Sequence, residues 1–175
     1  MEEFKSGFVS LIGKTNSGKS TLLNRLVKEK VAITTPKTQT TRTAIKAIIN
    51  NENSQIIITD TPGIHKGKSK LSNTMIDTAM TMVGEVDCVL FLVDCNEKSV
   101  SVENTKIIEK LKTIKTPVIL VINKTDLVPK EKVLNKIKEY SNMYDFKAVV
   151  PISALKDNNI DVLVSQIEKE LPVRA

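Results

Sequence analysis

The sequence predicts an α/β domain: a six-stranded, mostly parallel sheet with one antiparallel edge strand and five flanking helices. Three observations predict it. Short apolar runs alternate with amphipathic segments along the whole chain, without a Gly/Ser linker between them, which is the pattern of strands feeding crossover helices. The runs VDCVLFLVD (86–94), PVILVIN (117–123) and FKAVVPIS (146–153) are nearly continuous in apolar residues, as strands covered on both faces must be. A G-x-x-x-x-G-K-S stretch at 13–20 lies where the first apolar run gives way to the first amphipathic one.

Taken in order, GFVSLIG (7–13) reads as the first strand. GKSTLLNRLVKE (18–29) reads as the helix it feeds, with Leu22, Leu23, Leu26 and Val27 on one face. AIKAIINN (44–51) and SQIIITD (54–60), parted by Glu52-Asn53, read as a hairpin whose first strand runs against its neighbours. The three continuous apolar runs supply the remaining strands. Further helices are expected over 72–84, 102–113, 130–143 and 159–170. Segments 30–42, 61–71 and 94–100 fit neither period and read as loops. In such sheets ligands bind at the carboxyl ends of the strands, where these loops emerge.

With 175 residues, 41% of them hydrophobic, the chain can build one core without metal or disulfide, so a single domain over 1–175 is expected. Its longest apolar runs fall well short of the roughly 20 residues of a membrane helix. The N-terminal MEEFKSGF lacks the features of a secretory signal, so a cytoplasmic location is expected. Cys88 and Cys95 match no metal or redox spacing and read as small buried hydrophobes. A net charge of +6 permits an anionic partner but does not by itself identify one.

The stretch Gly13-Lys14-Thr15-Asn16-Ser17-Gly18-Lys19-Ser20-Thr21 carries the first chemistry. Glycines at its two ends let backbone N–H groups curl around a phosphate, and the helix N-terminus adds partial positive charge. Lys19 would reach the β/γ oxygens, and the Ser20 hydroxyl would ligate Mg²⁺. The base is read at Asn123-Lys124-Thr125-Asp126, directly after a buried strand. An Asp126 carboxylate can accept from guanine N1–H and from the 2-amino group; adenine would leave it unpaired, at a large cost in a buried site. Asn123 is expected to face the other base edge and tie back to the phosphate loop, with the Lys124 stem across the ring. Ser153-Ala154-Leu155 follows the last strand, and the Ala154 N–H is expected to point at guanine O6.

Asp60-Thr61-Pro62-Gly63 ends the strand SQIIITD. Asp60 is expected to hold Mg²⁺ through water, and the Gly63 N–H to sense the γ-phosphate. In Gln39-Thr40-Thr41-Arg42, Thr41 is the expected third Mg²⁺ ligand, present only with the γ-phosphate. GTP and GDP are therefore the expected ligands.

This ordered set resembles the translation-factor-type GTPases. The segments TPKTQTTR and DTPGIHKGKSKLSNTM resemble in particular the G domain of the Era family, the bacterial ribosome-assembly GTPases. Relatives of the Der and tRNA-modification type share the loop asparagine and T-T-R but typically follow it with Asp, where this chain has Thr43. The resemblance implies a P-loop GTPase switch acting in small ribosomal subunit assembly and rRNA processing. Its implied partners are small-subunit ribosomal RNA and the subunit itself, with peripheral association at the inner face of the cell membrane; the G domain is expected to be monomeric. Family members carry a KH domain after the G domain; no G-x-x-G motif follows Asp126, so that RNA-binding domain is expected to be absent from this chain.

Ile64 stands where Ras-like enzymes place a water-orienting glutamine, and no arginine finger is evident among Arg25, Arg42 and Arg174. Turnover is thus expected to be slow or assisted. In the family resembled, an asparagine at the position of Asn16 marks enzymes that use K⁺ beside the phosphates; Asn16 either ligates K⁺ or hydrogen-bonds the loop backbone. The alternatives are a weakly hydrolysing guanine-nucleotide-binding scaffold, a related GTPase of the Der or tRNA-modification type, and a P-loop kinase or ATPase. His65 reads as a bystander, and Lys66, Lys68 and Lys70 as a solvated face or an RNA contact.

Overall fold

The computed structural model describes residues 4–13, 17–29, 31–33, 44–60 and 86–173. The elements run β1 (Lys5–Ile12), α1 (Lys19–Glu29), β2 (Val31–Ile33), β3 (Ala44–Asn50), β4 (Ser54–Asp60), β5 (Cys88–Asp94), α2 (Val102–Leu111) and β6 (Val118–Asn123). They continue with a 3₁₀ turn (Thr125–Leu127), α3 (Lys130–Ser141), β7 (Ala148–Pro151) and α4 (Ile160–Lys169). Four of the five expected helices are present among the described residues. The one expected over 72–84 lies outside them.

The strands form one sheet in the order β2-β3-β4-β1-β5-β6-β7. All six expected strands are there, and a short seventh, β2, joins at the edge. It corrects the reading of 30–42 as loop throughout. Only three residues of β2 pair, Val31 to Ile33 against Asn50 to Ile48, too few to show a period of two in the sequence. Since β2 and β4 each pair antiparallel with β3, β3 alone runs against the rest. It is therefore the second strand in, not the edge strand expected. The β3–β4 hairpin closes where Asn51 N–H donates to the Ser54 carbonyl at 2.8 Å.

Alternation along the central strands splits the core in two. On one face Cys88, Leu90 and Leu92 of β5 pack with Val9, Leu11, Leu22 and Leu26, and with Ile160, Leu163 and Ile167 of α4. On the other, Val89, Phe91 and Val93 pack with Ile107, Ile108 and Leu111 of α2 and with Val133 and Tyr140 of α3. An 11-residue helix such as α1 is marginal in water by itself. Burying Leu22 and Leu26 contributes about 1.5–3 kcal/mol each, so the core fixes where α1 begins. Both cysteines are buried and unpaired, as expected. No described helix is long and apolar enough to cross a membrane.

Pairing brings the functional loops to one edge. Asp60 pairs with Leu11 at the carboxyl ends of β4 and β1, and Asp94 pairs with Asn123 at those of β5 and β6. The phosphate stretch, the loop after β6 and the loop after β7 all leave the sheet along this edge.

Candidate nucleotide-binding site

The phosphate stretch is built around backbone that only glycine tolerates. Gly18 has φ +104°, and its carbonyl accepts the first helical bond, from Leu22 N–H at 2.9 Å. At Gly13 an added Cβ would lie 2.8 Å from the Leu92 carbonyl oxygen. Lys19, Ser20 and Thr21 open α1, with Ser20 and Thr21 exposed. The first turn of α1 contains no acidic residue, so its N-terminal partial charge is open to an anion. Lys14, Thr15 and Asn16 lie outside the described residues.

Asn123 joins this stretch to the loop after β7. It is buried, and its Nδ2 donates to the Ser17 carbonyl at 3.0 Å. Its Oδ1 accepts from the Ala154 N–H at 3.0 Å. The expected tie to the phosphate loop is therefore present. The direction expected for the Ala154 N–H is corrected: it points at Asn123, because that buried acceptor needs a donor.

Asp126 is exposed at the start of the 3₁₀ turn, and its Oδ1 accepts from the Ser153 hydroxyl at 2.8 Å. Ser153 Oγ in turn accepts from Lys156 N–H at 3.1 Å. A carboxylate has about four lone-pair sites, so the Ser153 bond orients Asp126 and leaves capacity for two ligand N–H groups. Thr125 anchors the turn, its N–H and its hydroxyl both donating to the Ile152 carbonyl at 3.2 and 2.9 Å. Lys124 sits in the left-handed region at φ 67°. Its Nζ pairs with Asp94 Oδ2 at 3.2 Å, and its Cε would be 3.9 Å from a Cβ at Gly18. The lysine stem thus runs beside the phosphate stretch.

Two contributors were not anticipated from the sequence. Asp94, which holds Lys124, also accepts from Asn96 N–H at 2.8 Å through its other oxygen; the signal was a carboxylate closing a buried strand. Arg25 of α1 donates from Nε to the Ala154 carbonyl at 3.0 Å and from Nη2 to the Leu155 carbonyl at 2.8 Å. No sequence pattern announces a bond between side chain and backbone across 129 residues.

Behind Asp94 the loop 94–100 is fixed from below. The Tyr140 hydroxyl donates to Glu97 and accepts from Asn104 Nδ2 at 3.0 Å, and Lys136 Nζ lies 3.6 Å from the same Glu97 oxygen. Burial, then the Glu97 bond, pushes the Tyr140 phenol well above its ordinary range. Asp60 ends β4 beside β1. Thr41, Thr61, Pro62, Gly63 and Ile64 lie outside the described residues, as do His65, Lys66, Lys68 and Lys70.

A helix opened by a positive-φ glycine and the turn after β6, joined through one buried asparagine, make the arrangement of a P-loop GTPase. A family model described as 50S ribosome-binding GTPase matches residues 8–124, and the chain belongs to that family. Within it the chain is similar to the G domain of Era. It is 48% identical over 169 residues to GTPase Era of Ruminiclostridium cellulolyticum and 52% identical over 169 residues to that of Caldanaerobacter subterraneus subsp. tengcongensis. Each alignment covers 97% of this chain and 56% of the relative, so the chain spans little more than half the length of these relatives.

Solved structures agree. An Aquifex aeolicus Era variant bound to GDP and AlF4⁻ superposes with TM-score 0.77 at 39% identity, over 98% of this chain and 59% of that one. Era in complex with MgGDPNP and nucleotides 1506–1542 of 16S ribosomal RNA superposes with TM-score 0.78 at 40% identity, with the same coverage.

Proposed function

We propose that this chain binds GTP with Mg²⁺ and hydrolyses it to GDP and phosphate, acting as the nucleotide switch of a protein that serves small-subunit ribosome assembly and rRNA processing. The observation that carries this reading is the pair of hydrogen bonds by which Asn123 donates to Ser17 and accepts from Ala154. It makes the phosphate cradle and the base loop one site. Asp126, oriented by Ser153, selects guanine, since its acceptors need two donors on one base edge.

The donor set suits Mg²⁺, a hard cation that takes oxygen ligands. The Ser20 hydroxyl at the head of α1 and the Asp60 carboxylate would hold it, with Thr41. Mg²⁺ held there would supply positive charge against the negative charge that develops on the transferring phosphoryl group. Lys19 and the backbone from Gly13 to Gly18 position the phosphates, and the Gly63 N–H reports the γ-phosphate. With isoleucine at position 64, the chain itself supplies no side chain to orient water there. Asn16, midway along the G-x-x-x-x-G-K-S stretch in sequence, is proposed to ligate K⁺ in place of an arginine finger.

Ribosomal RNA and the small subunit are proposed as partners of the longer protein. The rRNA segment in the related Era complex supports that assignment. A monomeric G domain, acting in the cytoplasm or at the inner membrane face, completes the reading.

The test is phosphate release measured with GTP and with ATP, each in matched KCl and NaCl. Hydrolysis confined to GTP and faster in KCl is expected. Equal rates in the two salts would remove the K⁺ role. Tight GTP binding without measurable release would reduce the chain to a nucleotide-binding scaffold, and comparable use of ATP would overturn the reading at Asp126.

A further inference from the structure

Arg25 lies in the second turn of α1, away from any expected nucleotide contact, yet it is bonded to the base loop by two arms. Its Nε and Nη2 donate to the Ala154 and Leu155 carbonyls at 3.0 and 2.8 Å, and its Nη1 lies 4.0 Å from Asp157 Oδ2. Because a trans peptide sets C=O and N–H on opposite sides, each bond fixes a donor on the far side of its peptide plane. Holding the Ala154 carbonyl aims the Leu155 N–H away from α1. Holding the Leu155 carbonyl aims the Lys156 N–H, and that group donates to Ser153 Oγ, the hydroxyl that orients Asp126.

Both halves of base recognition therefore hang from one guanidinium. One arm sets the backbone that would meet guanine O6, and the other sets the carboxylate that would meet N1 and the 2-amino group. The planar fork of arginine spans two acceptors with its N–H vectors fixed, which a lysine ammonium does not do. We propose that Arg25 is a positioning residue for guanine selectivity, fastening the base loop to the helix whose N-terminus holds the phosphates. This rests on the guanine reading of the site.

The test compares GDP with 6-thio-GDP, whose sulfur is a poor acceptor at the O6 position, with IDP, which lacks the 2-amino group, and with GMP. Binding is measured on the native chain and on Arg25→Met, which keeps the aliphatic stem. Native chain should prefer GDP over both base analogues. In Arg25→Met, GDP should weaken by about tenfold, as loss of charge-assisted bonds implies. Both base preferences should shrink toward one, while the GDP-to-GMP ratio stays at its native value.

An unchanged pair of base preferences in Arg25→Met, or a fall in the GDP-to-GMP ratio instead, would overturn the assignment and make Arg25 a support for α1. If the native chain itself shows no preference among GDP, 6-thio-GDP and IDP, the guanine reading fails first. Should the methionine variant not fold, Arg25→Lys keeps the charge without the fork. Its base preferences should lie between native values and one, and fully native preferences would overturn the proposal.

Discussion

Gly18 and Asn123 are in such close contact that a Cβ built on the glycine would meet Asn123 Nδ2 at 2.2 Å. The clash falls on the atom that bonds the Ser17 carbonyl, and Gly18 also holds φ +104°. Gly18→Ala therefore forces the loops apart as well as straining the backbone. A stability loss of about 1–3 kcal/mol is expected, with GDP affinity falling by more than about tenfold. Urea unfolding and GDP titration of the same variant measure the two effects.

Ser153→Ala removes the donor to Asp126 Oδ1 and the acceptor for Lys156 N–H without enlarging the side chain. Asp126 remains exposed but loses its orientation. GDP should bind roughly three- to tenfold more weakly, the worth of about 0.5–1.5 kcal/mol of hydrogen bond. Competition against ADP reads the outcome, because a change confined to base recognition leaves weak ADP binding where it was.

Tyr140→Phe keeps the edge-to-face packing on Phe91, whose ring centroid lies 6.2 Å away, and deletes only the hydroxyl between Glu97 and Asn104. Leaving buried groups short of a partner costs about 1–3 kcal/mol. The unfolding midpoint should fall accordingly. GDP affinity should stay within about twofold, since Asp94 keeps its bonds to Lys124 and Asn96.

Cys88 makes the fold sensitive to alkali. Burial, then the nearby charge of Glu170, pushes its thiol up to about 12 from 9.0. As pH rises past 9 the unfolded chain releases this proton while the folded chain retains it, so stability is full below about 9 and declines as pH approaches 12. Tyr140, raised in the same direction, adds to the decline above about 10. Unfolding free energy measured across this range should slope downward, and Cys88→Ala should make the slope shallower.

The parts of the site legible in the sequence were those where several constraints act on neighbouring residues. Gly13, Gly18, Lys19 and Ser20 sit within eight positions because one turn of backbone and one helix start must meet one phosphate. Asn123 and Asp126 are legible for the same reason. β5 and β6 were plain because both faces are buried. What could not be read arises from contacts closed only by the sheet. Arg25 bonds carbonyl oxygens, which every residue has, so nothing at 154 or 155 marks its partners. The Glu97, Asn104, Tyr140 and Lys136 cluster spans three elements with no fixed spacing. β2 was missed because pairing to β3, and no pattern of its own, makes it a strand.

The Asn123 bridge also orders events in time. Its two bonds span 106 and 31 residues, so a ribosome delivers the phosphate cradle long before the residues that read the base. On the proposed reading, a growing chain carries the phosphate stretch first and acquires base discrimination only once Asn123, Asp126 and the loop held by Arg25 have been made. The base loop closes last, onto Arg25, and α4 packs against the same face as α1. On the proposed reading, a tightly held guanine nucleotide would report that synthesis has passed residue 155 and that the loop after β7 has reached α1.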